Sequence, residues 1–188
     1  MEQISFWMVF VNDLVKFLKE ITKLKKVKRS GWVRVGIKNS ESVADHSWSL
    51  AFLCMIFADK FELDAAKLIK MALIDDIAEI KTGDIVRERG NKTLIKRSDK
   101  IKIERKAINN IFANLENGQE YIDLWEEAQK METKEAKFLK QLDKFEMAIQ
   151  ASEYANGVPH KKIEEFFTSA GNNISDPFLI KLVQELEK

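Results

Sequence analysis

Apolar residues recur at helical spacing in nearly every segment of this chain, and little interrupts them. Ile4, Phe6, Trp7, Phe10, Val11, Leu14, Val15 and Leu18 fall on one stripe of a helix. Seven glycines and two prolines are spread over 188 residues, so the strongest chain breakers are scarce. No run alternates apolar and polar residues as a half-buried strand would. The spacing predicts helices over about 4–24, from an N-cap at Ser42 to about Lys60, and from an N-cap at Asp64 to Ile80. Others are expected over about 98–115, 119–130 and 133–154, with two short ones after Pro159, the last opened by Asp176 and Pro177. The basic stretch KKVKRSGWVRVGIKNS reads as irregular, broken by Gly31 and Gly36, and residues 85–97 read as a loop. The fold class is all-α: one domain over 1–188, a bundle of about six to eight helices.

The composition narrows the setting. Hydrophobic residues make up 45% and charged residues 32%, ordinary for a water-soluble chain. A net charge of +1 gives no general pull on a polyanion, so nucleic acid is not an expected partner. No apolar stretch is long enough to span a membrane. The N-terminal segment carries Glu2 and Asp13 and lacks a basic start and a small-residue cleavage site, so it reads as a helix of a cytoplasmic protein. The lone Cys54 rules out an internal disulfide and a cysteine-cluster metal site, and reads as a small core residue.

Several polar residues do not fit a plain core. Alone, His46 among Val43, Leu50, Leu53 and Cys54 is most simply a satisfied core histidine. The next helix, KLIKMALIDDIAEIKTGD, is harder to explain. It sets Asp75, Asp76 and Glu79 three and four residues apart inside an apolar run, where unpaired carboxylates repel and are costly to bury. A cation is the natural compensation. Asp143, flanked by Leu139, Leu142 and Phe145, serves locally as well for a surface ion pair. One imidazole and several carboxylates on three helices suit Mn, Co, Fe, Zn or Mg. Lys28, Arg29, Arg34 and Lys38 surround Trp32, which reads either as an anchored basic loop or as a lid over a phosphorylated ligand.

Taken in order, KRSGW (28–32), ESVADHSW (41–48), ALIDDIAEIKTGDI (72–85) and AKFLKQLDKFEMAIQASEY (136–154) resemble the HD-domain 5′-deoxynucleotidases of the HD phosphohydrolase superfamily. The resemblance runs over nearly the whole chain and implies an HD-domain bundle. It implies a divalent metal, Co, Mn, Mg or Zn, held by His46, the doublet Asp75-Asp76 and Asp143. It implies hydrolysis of a small-molecule nucleotide, a deoxynucleoside 5′-monophosphate, with Glu79 as general base and Asp76 in the catalytic set. Arg29 and Lys140 would meet the phosphoryl oxygens, Asp84 the sugar 3′-hydroxyl, and Trp32 the nucleoside end. A homodimer is implied too, and exposed aromatics at Phe6, Trp7, Phe166 and Phe167 would allow one.

One departure stands out. The doublet reads Asp75-Asp76 where the family has His-Asp. Asp75 can still ligate, directly or through water, or shift the site towards harder metals, or weaken it. The last case gives an alternative function: a catalytically weakened HD protein that binds nucleotide and metal. Another HD phosphohydrolase chemistry is a further alternative.

Overall fold

The computed structural model describes the backbone of residues 2–86, 88–89 and 92–188 and the side chains of residues 11–86 and 93–188. The fold is all-α. Among the described residues the helices are α1 (Glu2–Ile21), α2 (Ser30–Val35), α3 (Val43–Ala58), α4 (Ala65–Asp75), α5 (Glu79–Thr82), α6 (Arg97–Phe112), α7 (Gly118–Lys130), α8 (Lys134–Ala155), α9 (His160–Asn173) and α10 (Pro177–Leu186). That is more than the six to eight expected, for two reasons. The expected helix through Ile80 breaks after Asp75, and α2 forms inside the stretch expected to be irregular. The expected loop at 85–97 holds a two-residue antiparallel pair, β1 (Glu88–Arg89) with β2 (Lys92–Thr93).

The helix starts follow from their capping residues. Ser42 Oγ accepts the Asp45 N–H at 3.2 Å, and Asp45 Oδ2 accepts the Ser42 N–H at 2.7 Å, so a reciprocal capping box fixes the start of α3. Asp64 caps α4 by accepting from Lys67 N, and Asp176 caps α10 by accepting from Phe178 N and Leu179 N, with Pro177 in the first turn. Gly36, at φ 90°, ends α2 in the left-handed conformation that glycine adopts without penalty. Gly31 does not break α2. It lets the first turn settle on α9, where an added Cβ would sit 3.2 Å from Phe166 Cε1.

The core lies around α8, which packs against α3, α4, α7, α9 and α10. Leu139, Leu142, Ala148 and Ala151 are fully buried along it. Burying each leucine contributes roughly 1.5–3 kcal/mol. A second apolar cluster, including Ile74, Ala78, Ile108, Phe112 and Trp125, ties α4 to α6 and α7. Cys54 is buried as expected, and burial, with Asp75 nearby, pushes its thiol up to about 12. Phe166 and Phe167 are also buried, so they do not form the expected exposed aromatic face; the Phe6 and Trp7 side chains lie outside the described residues. The exposed apolar face is on α3 instead, where Trp48, Phe52, Met55 and Ile56 follow one another at helical spacing. No helix among the described residues is long and apolar enough to cross a membrane.

Candidate metal centre

His46 is in the first turn of α3, one residue past the capping box that fixes the helix start. Its ring is fully buried. Nδ1 lies 2.5 Å from Glu146 Oε2, a carboxylate one turn after Asp143 on α8. That contact fixes the proton on Nδ1 and turns the Nε2 lone pair the other way. Nε2 has Asp143 Oδ1 at 3.2 Å and Asp76 Oδ2 at 3.6 Å, yet it makes no hydrogen bond among the described residues.

Asp76 reaches this position because α4 ends just before it. Its backbone leaves the helix at φ −102° and ψ 9°, and a tight turn closed by Glu79 N–H to Asp76 O leads into α5. The break separates two adjacent acids. Asp76 faces His46 and the Arg29 guanidinium, Nη1 to Oδ2 3.6 Å. Asp75 faces α7 and α8, accepting from Lys140 Nζ at 2.8 Å on both oxygens and from Gln129 Nε2 at 2.8 Å. The expectation that Asp75, Asp76 and Glu79 share one helical face fails here, because the helix does not continue through them.

The electrostatics point to a cation. Burial and the Arg29 charge press the His46 imidazolium down, but Asp143 and Glu146 outweigh them and raise it to about 10. Burial pushes the Asp143 carboxyl up, yet Lys144, His46 and Arg29 hold it well below the usual range. Arg29 is desolvated but is held charged by Asp76, Asp84, Asp143 and Glu79. Glu79 is 1% exposed, and burial with Asp76 and Asp84 pushes it up to about 10. Its Oε2 has no hydrogen-bond partner among the described residues, and Lys100 Nζ lies 3.8 Å from Oε1. The carboxylates that hold a proton on His46 would equally hold a divalent ion, so the donor set fits such a group.

One ligand atom each of Glu41, His46 and Glu146 also lies within 4.8 Å of the others. This trio is already committed: Glu146 meets Nδ1, and Glu41 accepts the Trp32 indole N–H at 2.8 Å. The open coordinating position is on Nε2, on the opposite side of the ring.

The remaining expected site residues divide. Asp84 Oδ2 accepts the Ser30 N–H at 2.7 Å and its carbonyl accepts the Ser30 hydroxyl at 2.8 Å, which places the 83–84 turn beside Arg29. Trp32 is 2% exposed and packs on Phe166, ring centroids 4.0 Å apart, and edge-on to Tyr154. It anchors α2 in the core and presents no open face to a ligand. The Lys140 ammonium is engaged by Asp75, 2.8 Å from each carboxylate oxygen. Of the four basic residues around Trp32, Arg29 reaches the acids, Arg34 pairs with Glu165, Lys28 donates to the Ser40 carbonyl and Lys38 is exposed.

The sequence reading missed Glu146, Glu41 and Lys100. Glu146 was visible as an acid one turn after Asp143 on the same face. Lys100 had no such signal, lying in a helix crowded with lysines and acids.

Comparison with known proteins places the chain in one family. The HD domain family model matches residues 21–184. The human 5′-deoxynucleotidase HDDC2 is 35% identical over 180 residues, covering 94% of this chain and 85% of that one. The Dictyostelium discoideum 5′-deoxynucleotidase HDDC2 is 36% identical over 191 residues, covering 94% and 98%. The crystal structure of a predicted metal-dependent phosphohydrolase from Magnetospirillum magnetotacticum aligns with a TM-score of 0.68 at 26% identity, over 94% of this chain and 93% of that one. With its helical bundle, its buried histidine set against two aspartates and relatives matched over 94% of its length, the chain belongs to the HD-domain 5′-deoxynucleotidase family.

Proposed function

We propose that the chain is a metal-dependent phosphohydrolase that converts deoxynucleoside 5′-monophosphates into deoxynucleosides and phosphate. The observation that carries the reading is His46 Nε2: buried, without a hydrogen bond among the described residues, and faced by Asp76 and Asp143. The names of the human and Dictyostelium relatives supply the substrate class.

His46, Asp76 and Asp143 would hold a divalent ion, with Co, Mn, Mg and Zn as candidates. Bound there, it would acidify water and neutralise phosphate charge. The chain's own residues do the rest. Burial, Asp76 and Asp84 keep a proton on Glu79; a divalent charge beside it would ionise it, and Glu79 would then accept the proton from the attacking water. Arg29, half of an ion pair with Asp76, stabilises charge on the phosphoryl oxygens. Asp84 accepts a hydrogen bond from the sugar 3′-hydroxyl. Trp32 holds Glu41 through its indole N–H, and the same Glu41 oxygen lies 3.9 Å from Arg29 Nε. Lys140, engaged by Asp75, drops out of the phosphate contacts.

We assign the whole chain to one HD domain acting in the cytoplasm, as a homodimer. The exposed α3 face supports the dimer, since a large apolar patch on a water-soluble surface marks an interaction site.

The deciding experiment is phosphate release from a panel of deoxynucleoside and ribonucleoside monophosphates with each metal, after chelator treatment. Turnover of deoxynucleotides that depends on added metal is expected. Metal bound without turnover would select the second reading, a nucleotide- and metal-binding protein of weakened activity. That reading is favoured by the carboxylate at position 75.

A further inference from the structure

We infer that Asp75 is not a metal ligand in this protein: Lys140 and Gln129 hold it out of the centre, and the ion is bound by three protein ligands, His46, Asp76 and Asp143. The inference rests on the metal reading proposed above and specifies its ligand set.

Three observations carry it. The first is saturation. Asp75 Oδ1 takes hydrogen bonds from Gln129 Nε2 and Lys140 Nζ, both at 2.8 Å, and Oδ2 takes a second contact from Lys140 at 2.8 Å. Its main chain is tied as well, since the buried Trp125 indole N–H donates to the Asp75 carbonyl at 3.1 Å. Trp125 and Gln129 are one turn apart on α7, and Lys140 comes from α8, so two helices build a receptor for this side chain. The second is direction. Asp75 is the last residue of α4, and the backbone leaves the helix at Asp76. The two carboxylates therefore do not share a face, and it is Asp76 that meets His46. The third is charge. Paired with Lys140, Asp75 adds no net charge to the centre. Asp76 and Asp143 then supply the two anionic ligands, with a neutral imidazole as third. If Asp75 turned inward, it would bring an excess negative charge to the ion and strand the Lys140 ammonium.

A centre with three protein ligands leaves more of the coordination sphere to water and to substrate oxygens, as open catalytic sites do.

The test uses Co²⁺, whose visible absorption reports its ligand set, on the full chain. Titration of the wild type should give one equivalent bound. Asp75→Asn should leave the spectrum unchanged and the Kd within about threefold, whereas Asp143→Asn, which removes a ligand, should weaken binding by more than about tenfold. The double variant Asp75→Asn with Lys140→Gln removes both charges together and should behave as Asp75→Asn does. Far-UV circular dichroism follows folding in each. An anomalous difference map from wild-type crystals soaked in Co²⁺ reads the ligands with no substitution at all. The expected map places the ion on His46 Nε2, Asp76 and Asp143, with Asp75 still on Lys140. An Asp75 oxygen at bonding distance of about 2.0–2.2 Å from the ion would overturn the inference. So would a changed spectrum in the folded Asp75→Asn protein. No Co²⁺ bound by the wild type would instead remove the metal reading and this inference with it.

Discussion

Glu146 Oε2 lies 2.5 Å from His46 Nδ1, and both side chains are buried. A carboxylate in this position fixes the imidazole's tautomer and its angle, and so determines whether Nε2 can donate a lone pair. Glu146→Ala should weaken divalent-metal binding by about 10–100-fold while all three ligands remain. Isothermal titration with Mn²⁺ measures it. Unchanged affinity would mean that Glu146 only fills space.

Glu79 is buried, with one oxygen free of hydrogen bonds among the described residues, and would take a proton once a bound cation ionises it. Glu79→Gln keeps the shape and removes the base. It should lower kcat by about 10²–10⁴-fold and change KM far less. A variant with full kcat would move the proton acceptor elsewhere.

Trp32 should matter to stability more than to substrate. Trp32→Ala should cost about 3–5 kcal/mol, the usual loss for a large buried aromatic. Trp32→Phe keeps much of the packing against Phe166 but gives up the hydrogen bond to Glu41. It should lower Tm with little change in KM for deoxynucleotides. A large rise in KM at unchanged Tm would restore Trp32 to the ligand's surroundings.

Arg105 on α6 and Glu126 on α7 form a two-point ion pair, with Nη2 to Oε2 at 2.9 Å. The guanidinium holds the Glu126 carboxyl below its ordinary value, against the upward push of burial. A lowered carboxyl contributes stability above its unfolded pKa and loses it as the pH falls through the folded one. Glu126→Gln should therefore destabilise by less than about 1 kcal/mol near neutral pH, since the pair is partly exposed. Urea unfolding of both proteins should converge as the pH drops below the usual carboxylate range.

The apolar face of α3 should be an interface between copies of the chain. Trp48→Glu places a charge in the middle of Trp48, Phe52, Met55 and Ile56, where Trp48 is 67% exposed. Sedimentation velocity should show the wild type as a dimer and the variant as a monomer of unchanged fold. A monomeric wild type would remove the dimer from the proposal.

Much of this was legible in the residues. Helical spacing and the caps at Ser42, Asp64 and Asp176 placed the long helices, because capping and periodicity are local properties. His46, Asp76, Asp143 and Arg29 were read together from motifs far apart in the chain, and the fold brings them together. Where the reading failed, tertiary context decided. Nothing local distinguishes Asp75 from Asp76; the break in α4 depends on packing, and the receptor for Asp75 comes from α7 and α8. Trp32 left two readings open, anchor or ligand contact, and it packs on Phe166, which was expected on the surface and is buried. The resemblance implied Lys140 as a phosphate contact, whereas its ammonium is engaged by Asp75, 65 residues away.

The close seat of Gly31 on Phe166 has a consequence for dividing the chain. A fragment ending at Tyr154 would contain His46, Asp76, Glu79, Asp84 and Asp143, and Arg29 as well. It would lack α9, the floor on which α2 rests. Without that floor the turn carrying Arg29 keeps the bonds of Ser30 to Asp84 and of Trp32 to Glu41 but loses the packing on Phe166 that backs them. The last helices supply no chemistry of their own, yet the arginine's reach is measured from them, so the smallest piece able to perform the reaction extends well beyond the last residue that takes part in it.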